Sequence, residues 1–296
     1  MQDLPFEAPR RFMGLDDRSA RFEDARAVIL PIPYESTTSW GGGTRRGPDA
    51  ILDASRYIEL YDEAFDDEPW TMGIHTLPSL ELTREGSTAA MEALERHYGR
   101  FLDQIGSRFP VALGGEHSIS APLIRATAQR TEGRLSVLQL DAHADLRDGY
   151  EGAPWSHASF AYRTLDVADF VQVGLRAVSP EEVEVIRNHA VTPIWAYRMW
   201  EDDRWMDEAL EALGERVYIT FDVDYFDPSL MPSTGTPEPG GGDWYRTLRF
   251  LQRVFEAREV VGLDVVELAP TPGLHAPDFL VAKLVYKLLG FHARSR

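Results

Sequence analysis

Asp141-Ala142-His143-Ala144-Asp145 carries three metal-ligand side chains on alternate residues. Alternate residues of an extended segment point the same way, so Asp141, His143 and Asp145 are expected to converge on one place. Asp222-Val223-Asp224 repeats the arrangement later in the chain. His117 follows Gly114-Gly115, where the missing side chains let backbones approach closely. These segments together offer four carboxylates and two imidazoles. Carboxylates crowded without a cation repel, and some must protonate. Two divalent ions would balance the four aspartates, and bridging carboxylates would let six residues hold the pair with open positions. Oxygen-rich ligation with some imidazole suits Mn2+, two per chain. Affinity order alone does not select the metal, so Fe, Co, Ni and Zn stay open. The chain has no cysteine, which excludes disulfides, thiolate nucleophiles and Cys-based zinc or iron–sulfur sites.

Each of these segments follows a short apolar run. Candidate strands are Ala27–Pro33, Pro110–Leu113, Leu135–Leu140, Phe170–Val173, Pro193–Trp195, Val217–Phe221 and Val260–Val266. Helical patterns lie near Ser87–Ile105, Ser120–Gln129, Pro180–His189, Asp207–Leu213, Trp244–Glu256 and Asp278–Leu289. Ser179-Pro180-Glu181-Glu182 reads as a helix start, with a capping Ser, Pro in the first turn and Glu182 at the capping-box position. Strand–helix alternation over the whole length predicts one domain, residues 1–296. Its expected architecture is three-layer αβα with a mainly parallel sheet. In such sheets ligands bind beyond the carboxyl ends of the strands. Gly-Gly-Glu-His, Asp-x-His-x-Asp, Asp-x-Asp and Glu267 each follow a strand, so all are expected at one edge.

Here a resemblance becomes specific. Gly114-Gly115-Glu116-His117-Ser118, Asp141-Ala142-His143-Ala144-Asp145 and Phe221-Asp222-Val223-Asp224-Tyr225-Phe226-Asp227-Pro228 resemble hallmark segments of the ureohydrolase family. That family includes agmatinase, arginase, guanidinobutyrase and formimidoylglutamase. Tyr34–Ser39 with Gly43–Pro48 resembles the family's N-terminal loop, and Gly235–Gly241 matches the segment after the last metal motif. The resemblance spans nearly the whole chain and is closest to agmatinases. It implies a binuclear Mn2+ site made by His117, Asp141, His143, Asp145, Asp222 and Asp224. Two ions sharing a water lower its pKa from about 15.7 toward neutrality, and the bridging hydroxide then attacks a guanidinium carbon. Glu267 is implied as the guanidinium anchor and His157 as the proton shuttle to the leaving amine. Glu116 stands where many relatives have Asp, and a role supporting the ligands is open to it. Asp148 reads as a solvated loop residue. His75, His97, His189, His275 and His292 match no family ligand and read as structural.

The implied reaction is hydrolysis of agmatine to putrescine and urea, a step of polyamine biosynthesis. The same chemistry on N1-aminopropylagmatine, giving spermidine, or on guanidinobutyrate is the alternative. Pro270–Phe279 departs from the pattern expected of many agmatinases and leaves the exact substrate open. Arginases of the family read the α-ammonium and α-carboxylate of arginine with polar residues. Here Gly149–Trp155 precedes His157, and Ala177, Val178 and Ser179 stand where an acid is expected. Trp155 is expected to narrow the pocket. A metal-dependent deacetylase shares the broad fold, but two Asp-rich motifs supplying a metal pair weigh against it. An inactive polyamine-binding protein would usually have lost a ligand, and all six are present.

The charge of the chain agrees with a cationic guanidino substrate. It carries 48 acidic and 30 basic residues, a formal net charge of −18, which draws cations and disfavours nucleic acid. No apolar run approaches the ~18 residues of a membrane helix. Met1–Glu7 lacks the basic and apolar regions of a signal peptide, so a cytoplasmic protein is expected. The resemblance implies a homo-oligomer, trimer or hexamer.

Overall fold

The structure, a computed structural model, describes residues 10–295. The reading of Met1–Glu7 lies outside them. Strands β1 (Ala27–Ile32), β2 (Ile74–Thr76), β3 (Phe109–Gly114), β4 (Leu135–Leu140), β5 (Ala168–Leu175), β6 (Val191–Trp195), β7 (Arg216–Asp222) and β8 (Glu259–Val266) form one sheet. Its order is β2-β1-β3-β8-β7-β4-β5-β6, and every neighbouring pair is parallel. Each crossover therefore needs a connection long enough to return the chain to the starting edge. Helices α1 (Gly47–Ser55), α2 (Ser87–Ile105), α3 (Ser120–Ala128), α4 (Pro180–Asn188), α5 (Ala196–Met199), α6 (Arg204–Ala212), α7 (Trp244–Ala257) and α8 (Ala276–Arg294) contribute to these returns.

Alternation along the strands splits the core in two. Ile29, Val111, Leu113, Leu138, Leu140, Leu263 and Val265 face one side, where they meet α1, α6, α7 and α8. Val28, Leu30, Ala112, Val137, Phe170 and Val266 face the other, against α2 and α3. Both faces are apolar, so the strands read as continuous hydrophobic runs rather than as alternating ones. This is the expected three-layer αβα arrangement.

Three elements escape the sequence reading. β2 has three residues and pairs only with β1 at the sheet edge, too short for any periodicity. α1 begins at Gly47-Pro48, which reads as loop; there Pro occupies the first turn, where its missing N–H costs nothing. α5 is a single turn. Prolines inside strands stand where ladder pairing is one-sided. Pro31 lies beyond the stretch of β1 paired with β2, and Pro110 lies before the pairing of β3 with β8 begins. The expected capping box of α4 forms, with Ser179 Oγ accepting from Glu182 N and Glu182 answering to Ser179 N.

The chain's only two lysines hold the segment after α1 against α8. The fully buried Asp62 accepts from Lys287 Nζ at 2.7 Å and Lys283 Nζ at 3.0 Å. Lys287 is itself buried. These two ion pairs outweigh the burial of Asp62 and hold its carboxyl below the usual carboxylate range. Removing Asp62 leaves the buried Lys287 charge with only the exposed Glu63, at 3.2 Å, to balance it. Asp62→Ala is therefore expected to cost about 3–5 kcal/mol, read from urea unfolding. Pairing it with Lys287→Met should recover most of the loss; equal losses in the single and double variants would show that the pair itself is not the cause.

Candidate functional site

The residues singled out for chemistry follow β3, β8, β7 and β4, which are four adjacent central strands. His117 opens a 3-10 turn after β3, while Asp141, His143 and Asp145 follow β4. Asp222 ends β7, Asp224 lies in the turn beyond it, and Glu267 follows β8. Parallel register aligns these ends: Leu140 lies opposite Phe221 and Asp222 opposite Val266. A side chain at Gly115 would collide with the Tyr34 carbonyl, so the turn before His117 admits only glycine.

His117 Nδ1 lies 3.1 Å from Asp141 Oδ2, from Asp145 Oδ2 and from Asp222 Oδ2. On its other side, Nε2 is 2.8 Å from Thr220 Oγ1, and Thr220 donates to Asp264 Oδ1 at 2.7 Å. A hydroxyl has one proton, and this one goes to the buried carboxylate. Thr220 therefore accepts from Nε2–H, and the Nδ1 lone pair faces the three carboxylates. That buried nitrogen has no hydrogen-bond partner. His143 Nδ1 lies 2.9 Å from Asp224 Oδ2 and 3.6 Å from Asp141 Oδ1. Ligand atoms of His117, Asp141 and Asp145 lie within 4.8 Å of one another, as do those of Asp141, His143 and Asp224. Asp141 belongs to both groups. An orphaned imidazole lone pair among carboxylate oxygens, beside a second group sharing one aspartate, fits a pair of divalent cations.

The electrostatics point the same way. Burial first, and then the charge of Asp141, pushes Asp145 up to about 7. Burial with the charges of Asp224 and Asp141 holds Asp222 well above the carboxylate range. Asp141 goes down because the proximity of the His117 and His143 imidazoles outweighs its burial. The carboxylates overcome burial to raise His117 strongly and His143 to about 12. Without cations, then, the cluster keeps Asp141 charged only by charging its imidazoles, while burial and mutual repulsion push Asp145 and Asp222 toward their protonated forms.

The supports around these residues are buried and polar. Gln139 Nε2 donates to Asp141 Oδ2 at 2.8 Å, and Gln172 Nε2 holds the Gln139 carbonyl at 2.7 Å. Arg176 Nη2 donates to the Asp224 carbonyl at 2.6 Å and the Glu238 carbonyl at 3.0 Å, tying the last motif to the loop after it. Asp145 and Glu267 hold φ of 52° and 65°, left-handed backbone that non-glycine residues seldom adopt outside functional sites. Sequence reasoning misses Gln139, Gln172, Thr220, Asp264 and Arg176. Four of these lie inside strands or the core, where a polar residue in an apolar run is the available signal.

A pocket opens over this cluster. His157 and Glu267 line it together with His117, His143, Asp145, Asp222 and Asp224. Glu267 Oε1 accepts from His117 N at 2.6 Å; burial and then the charge of Glu116 hold its carboxyl well above the usual range. Burial pulls His157 below the ordinary imidazole value. The aromatic residues of the rim are Trp40, 86% exposed, and Tyr150, with the Arg147 guanidinium 5.3 Å from the Tyr150 ring. Trp155 does not narrow the pocket, contrary to the expectation from sequence: it packs on the core beside α2 and α3. An acid missing near Ala177 is supplied from farther along, since Glu182 lines the pocket wall. Its oxygens accept from Leu146 N and Ser179 N. Asp148 is exposed and paired with Arg163, and Pro270–Phe279 contributes nothing to the pocket lining. His75, His97, His189, His275 and His292 lie outside the pocket as well.

An all-parallel αβα sheet whose central strands end in an oxygen-rich, two-centre ligand cluster defines a class of binuclear metal hydrolases. Residues 25–290 match the Arginase family. The N(1)-aminopropylagmatine ureohydrolase of Synechocystis sp. is 37% identical over 97% of this chain and 95% of its own length. The agmatinase of Pyrococcus horikoshii is 31% identical over 92% of this chain and 94% of its own. Among solved structures, the agmatine ureohydrolase of Thermoplasma volcanium superposes with a TM-score of 0.83 at 28% identity, covering 93% of this chain and 92% of that one. The chain belongs to the arginase family and is one of its hydrolases. Among the described residues, no helix is long and apolar enough to cross a membrane.

Thr220 carries a testable share of this geometry. Thr220→Val keeps the shape but leaves His117 Nε2–H without an acceptor and Asp264 short of a donor. It is expected to destabilise the metal-free protein by about 1–3 kcal/mol in urea unfolding. Divalent-cation affinity should fall with it. Wild-type values of both would remove Thr220 from the support of His117.

Proposed function

We propose that this chain, as one ureohydrolase domain, hydrolyses the guanidinium group of agmatine-type amines to urea and the free amine, using two Mn2+ ions. The observation that carries the reading is the convergence of five ligand-type residues, a buried glutamate and a histidine in one pocket, with the sixth ligand-type residue, Asp141, buried beneath it and shared by both ligand groups. His117, Asp141, Asp145 and Asp222 would hold one ion, and Asp141, His143, Asp222 and Asp224 the other. When bound, such a pair supplies Lewis acidity and a water that ionises near neutral pH.

The remaining work falls to the chain. Glu267 presents a carboxylate that can accept paired N–H bonds from a planar guanidinium and orient its carbon. A guanidinium beside it would also restore the charge that burial disfavours. His157, at the pocket wall, gives a proton to the departing nitrogen, so the amine leaves neutral and urea remains. Water adds at the carbon and the bond from carbon to the substituted nitrogen breaks; no oxidant or second substrate is needed.

For the substrate, N1-aminopropylagmatine is favoured over agmatine. Support comes from the 37%-identical relative, which carries that name, against 31% for the agmatinase. The rim agrees: an exposed Trp40 and Tyr150 offer ring faces to a distal ammonium, worth about 0.5–2 kcal/mol each. Agmatine is the second reading, on the same chemistry. L-Arginine should be poor, because Arg147, the cation on the pocket lining, already faces Glu182 at 3.8 Å and leaves the α-carboxylate without a free partner; desolvating that group costs several kcal/mol, roughly 10³-fold in kcat/KM.

The test is urea release from N1-aminopropylagmatine, agmatine, guanidinobutyrate and L-arginine at one pH and Mn2+ concentration, with metal analysis. The extended amine should lead and L-arginine trail; equal use of L-arginine overturns the substrate class. Asp145→Ala and Asp224→Ala should lose metal and most activity. His157→Ala should keep its metal and lose ~10²–10⁴ in kcat. Glu267→Gln should lose kcat/KM on every guanidinium tested, and wild-type kinetics there would remove the anchor. Trp40→Ala should raise KM for N1-aminopropylagmatine more than for agmatine; an equal effect on both would remove the rim from recognition.

A further inference from the structure

Glu116 is fully buried, and all four of its contacts come from donors. Oε2 accepts from Ser36 N at 2.6 Å and Thr37 N at 2.7 Å. Oε1 accepts from Thr37 Oγ1 at 2.8 Å and Ser118 Oγ at 2.6 Å. Thr37 stands between this carboxylate and His157. Its hydroxyl oxygen lies 3.1 Å from His157 N and 3.2 Å from His157 Nδ1. The opposite ring nitrogen, Nε2, lies 3.3 Å from Ser39 Oγ.

The count of protons decides the tautomer. A threonine hydroxyl offers one proton and two lone pairs. Its proton goes to Glu116, since a hydrogen bond to a carboxylate is stronger than one to a neutral imidazole. Both lone pairs are then free to accept, and His157 presents its backbone N–H and its ring Nδ1. The peptide N–H takes one, so the other can be satisfied only by a proton on Nδ1. We propose that Glu116 and Thr37 are positioning residues that fix His157 as the Nδ1–H tautomer and leave Nε2 to carry the mobile proton. Were Nδ1 bare, its lone pair would face the Thr37 lone pair at 3.2 Å. The same carboxylate fastens the Ser36–Thr37 backbone, so the loop and the ring orientation are fixed together. The consequence for catalysis rests on the proton-shuttle reading of His157; the tautomer itself does not.

The arrangement predicts an inversion. In Glu116→Gln the amide oxygen can still accept from Ser36 N and Thr37 N, but the amide NH2 now faces Thr37. The hydroxyl must then accept from it and turn its own proton toward Nδ1. The proton of neutral His157 moves to Nε2. Thr37→Val removes the selection altogether.

The experiment is 15N NMR of histidine-labelled protein loaded with diamagnetic Mg2+. A pH of about 9 keeps the His157 imidazole, which burial pulls below the ordinary value, neutral. The His157 signals are identified by their loss in His157→Ala. Nδ1–H in the wild type, Nε2–H in Glu116→Gln and a tautomer mixture in Thr37→Val support the proposal. Nε2–H in the wild type overturns it, as does an unaltered Nδ1–H in either variant. Thr37→Val removes one of the four donors to Glu116 but leaves Asp141, Asp145, Asp222 and Asp224 untouched, and it keeps the test available if Glu116→Gln fails to fold. With Mn2+ and the best guanidino substrate, Thr37→Val should lower kcat about 10–100-fold, less than a missing general acid. KM and metal content should stay near wild type, and Thr37→Ser should recover the rate. A change in KM or metal content instead of kcat overturns the positioning role. If His157→Ala turns over at the wild-type rate, the shuttle reading fails while the tautomer assignment is judged by the spectra alone.

Discussion

The contact on which the rest depends is the one between His117 Nδ1 and three carboxylate oxygens, each 3.1 Å away. A lone pair and three anionic oxygens do not assemble in a buried space by mutual attraction. Thr220 and Asp264 prevent the obvious escape, because they claim the imidazole proton on the far side of the ring. Positive charge must come from a bound cation, or protons must be taken up by the imidazoles and by some of the aspartates. The fold therefore holds a deficit in reserve, and the ligand that relieves it is a cation. The strained backbone at Asp145 and Glu267 belongs to the same reserve, maintained by packing elsewhere.

Such crowding is possible because the sheet is parallel. In an antiparallel sheet, neighbouring strands end at opposite edges, and four adjacent strands would deliver two ends to each. Here β3, β8, β7 and β4 lie side by side and all finish at one edge. The chain enters this edge from four distant places, and no short loop has to make the site alone. Both faces of the sheet are sealed by apolar cores, so the strand ends are rigid and the carboxylates cannot relax apart. Loops then complete what the strands begin. Gly41 packs closely on Gly235 and donates its N–H to the Gly235 carbonyl at 3.3 Å, seating the segment that carries Thr37, Ser39 and Trp40 against the loop after β7.

Much of this is legible in the sequence, for a physical reason. A ligand that follows a buried parallel strand stands out as a polar residue after an apolar run, and four such transitions in a parallel sheet must share one edge. Asp141, His143 and Asp145 are legible because extended backbone has a period of two. The partner of each group is not legible. Thr220, Asp264 and Gln139 sit within strands, where a single polar residue in an apolar run does not say which distant atom it satisfies. Trp155 misleads because a large aromatic near an active-site histidine reads as a pocket wall, whereas its ring is directed to the core. Glu182 announces only its local role as a cap, which it fills. Its place on the pocket wall depends on how α4 crosses the sheet, and no local pattern encodes that. The helix that starts at Gly47-Pro48 is hidden because the same residues serve both as a turn and as a helix start.

Glu116 illustrates how one carboxylate can be read two ways and be right in neither. Its position beside His117 suggests a supporting role toward the metal residues, yet its four donors come from Ser36, Thr37 and Ser118. It faces the loop and not the His117–Asp141 cluster. The molecule thus keeps two sets of acids apart at one strand end. Asp141, Asp145, Asp222 and Asp224 have fewer donors than Glu116 and each turn an oxygen to an imidazole nitrogen, an arrangement that suits a cation. Glu116 is saturated by donors and is spent on geometry. This division follows from hydrogen-bond supply rather than from residue type. The same rule explains Glu267, which accepts one backbone N–H from His117, is raised by burial and by the charge of Glu116, and lines the pocket. A carboxylate in that state binds a planar cation with more than its own attraction: the cation also relieves the penalty that the pocket imposes when empty of charge. On the proposed reading, specificity for a guanidinium would arise where the site is least satisfied, and orientation where it is most satisfied.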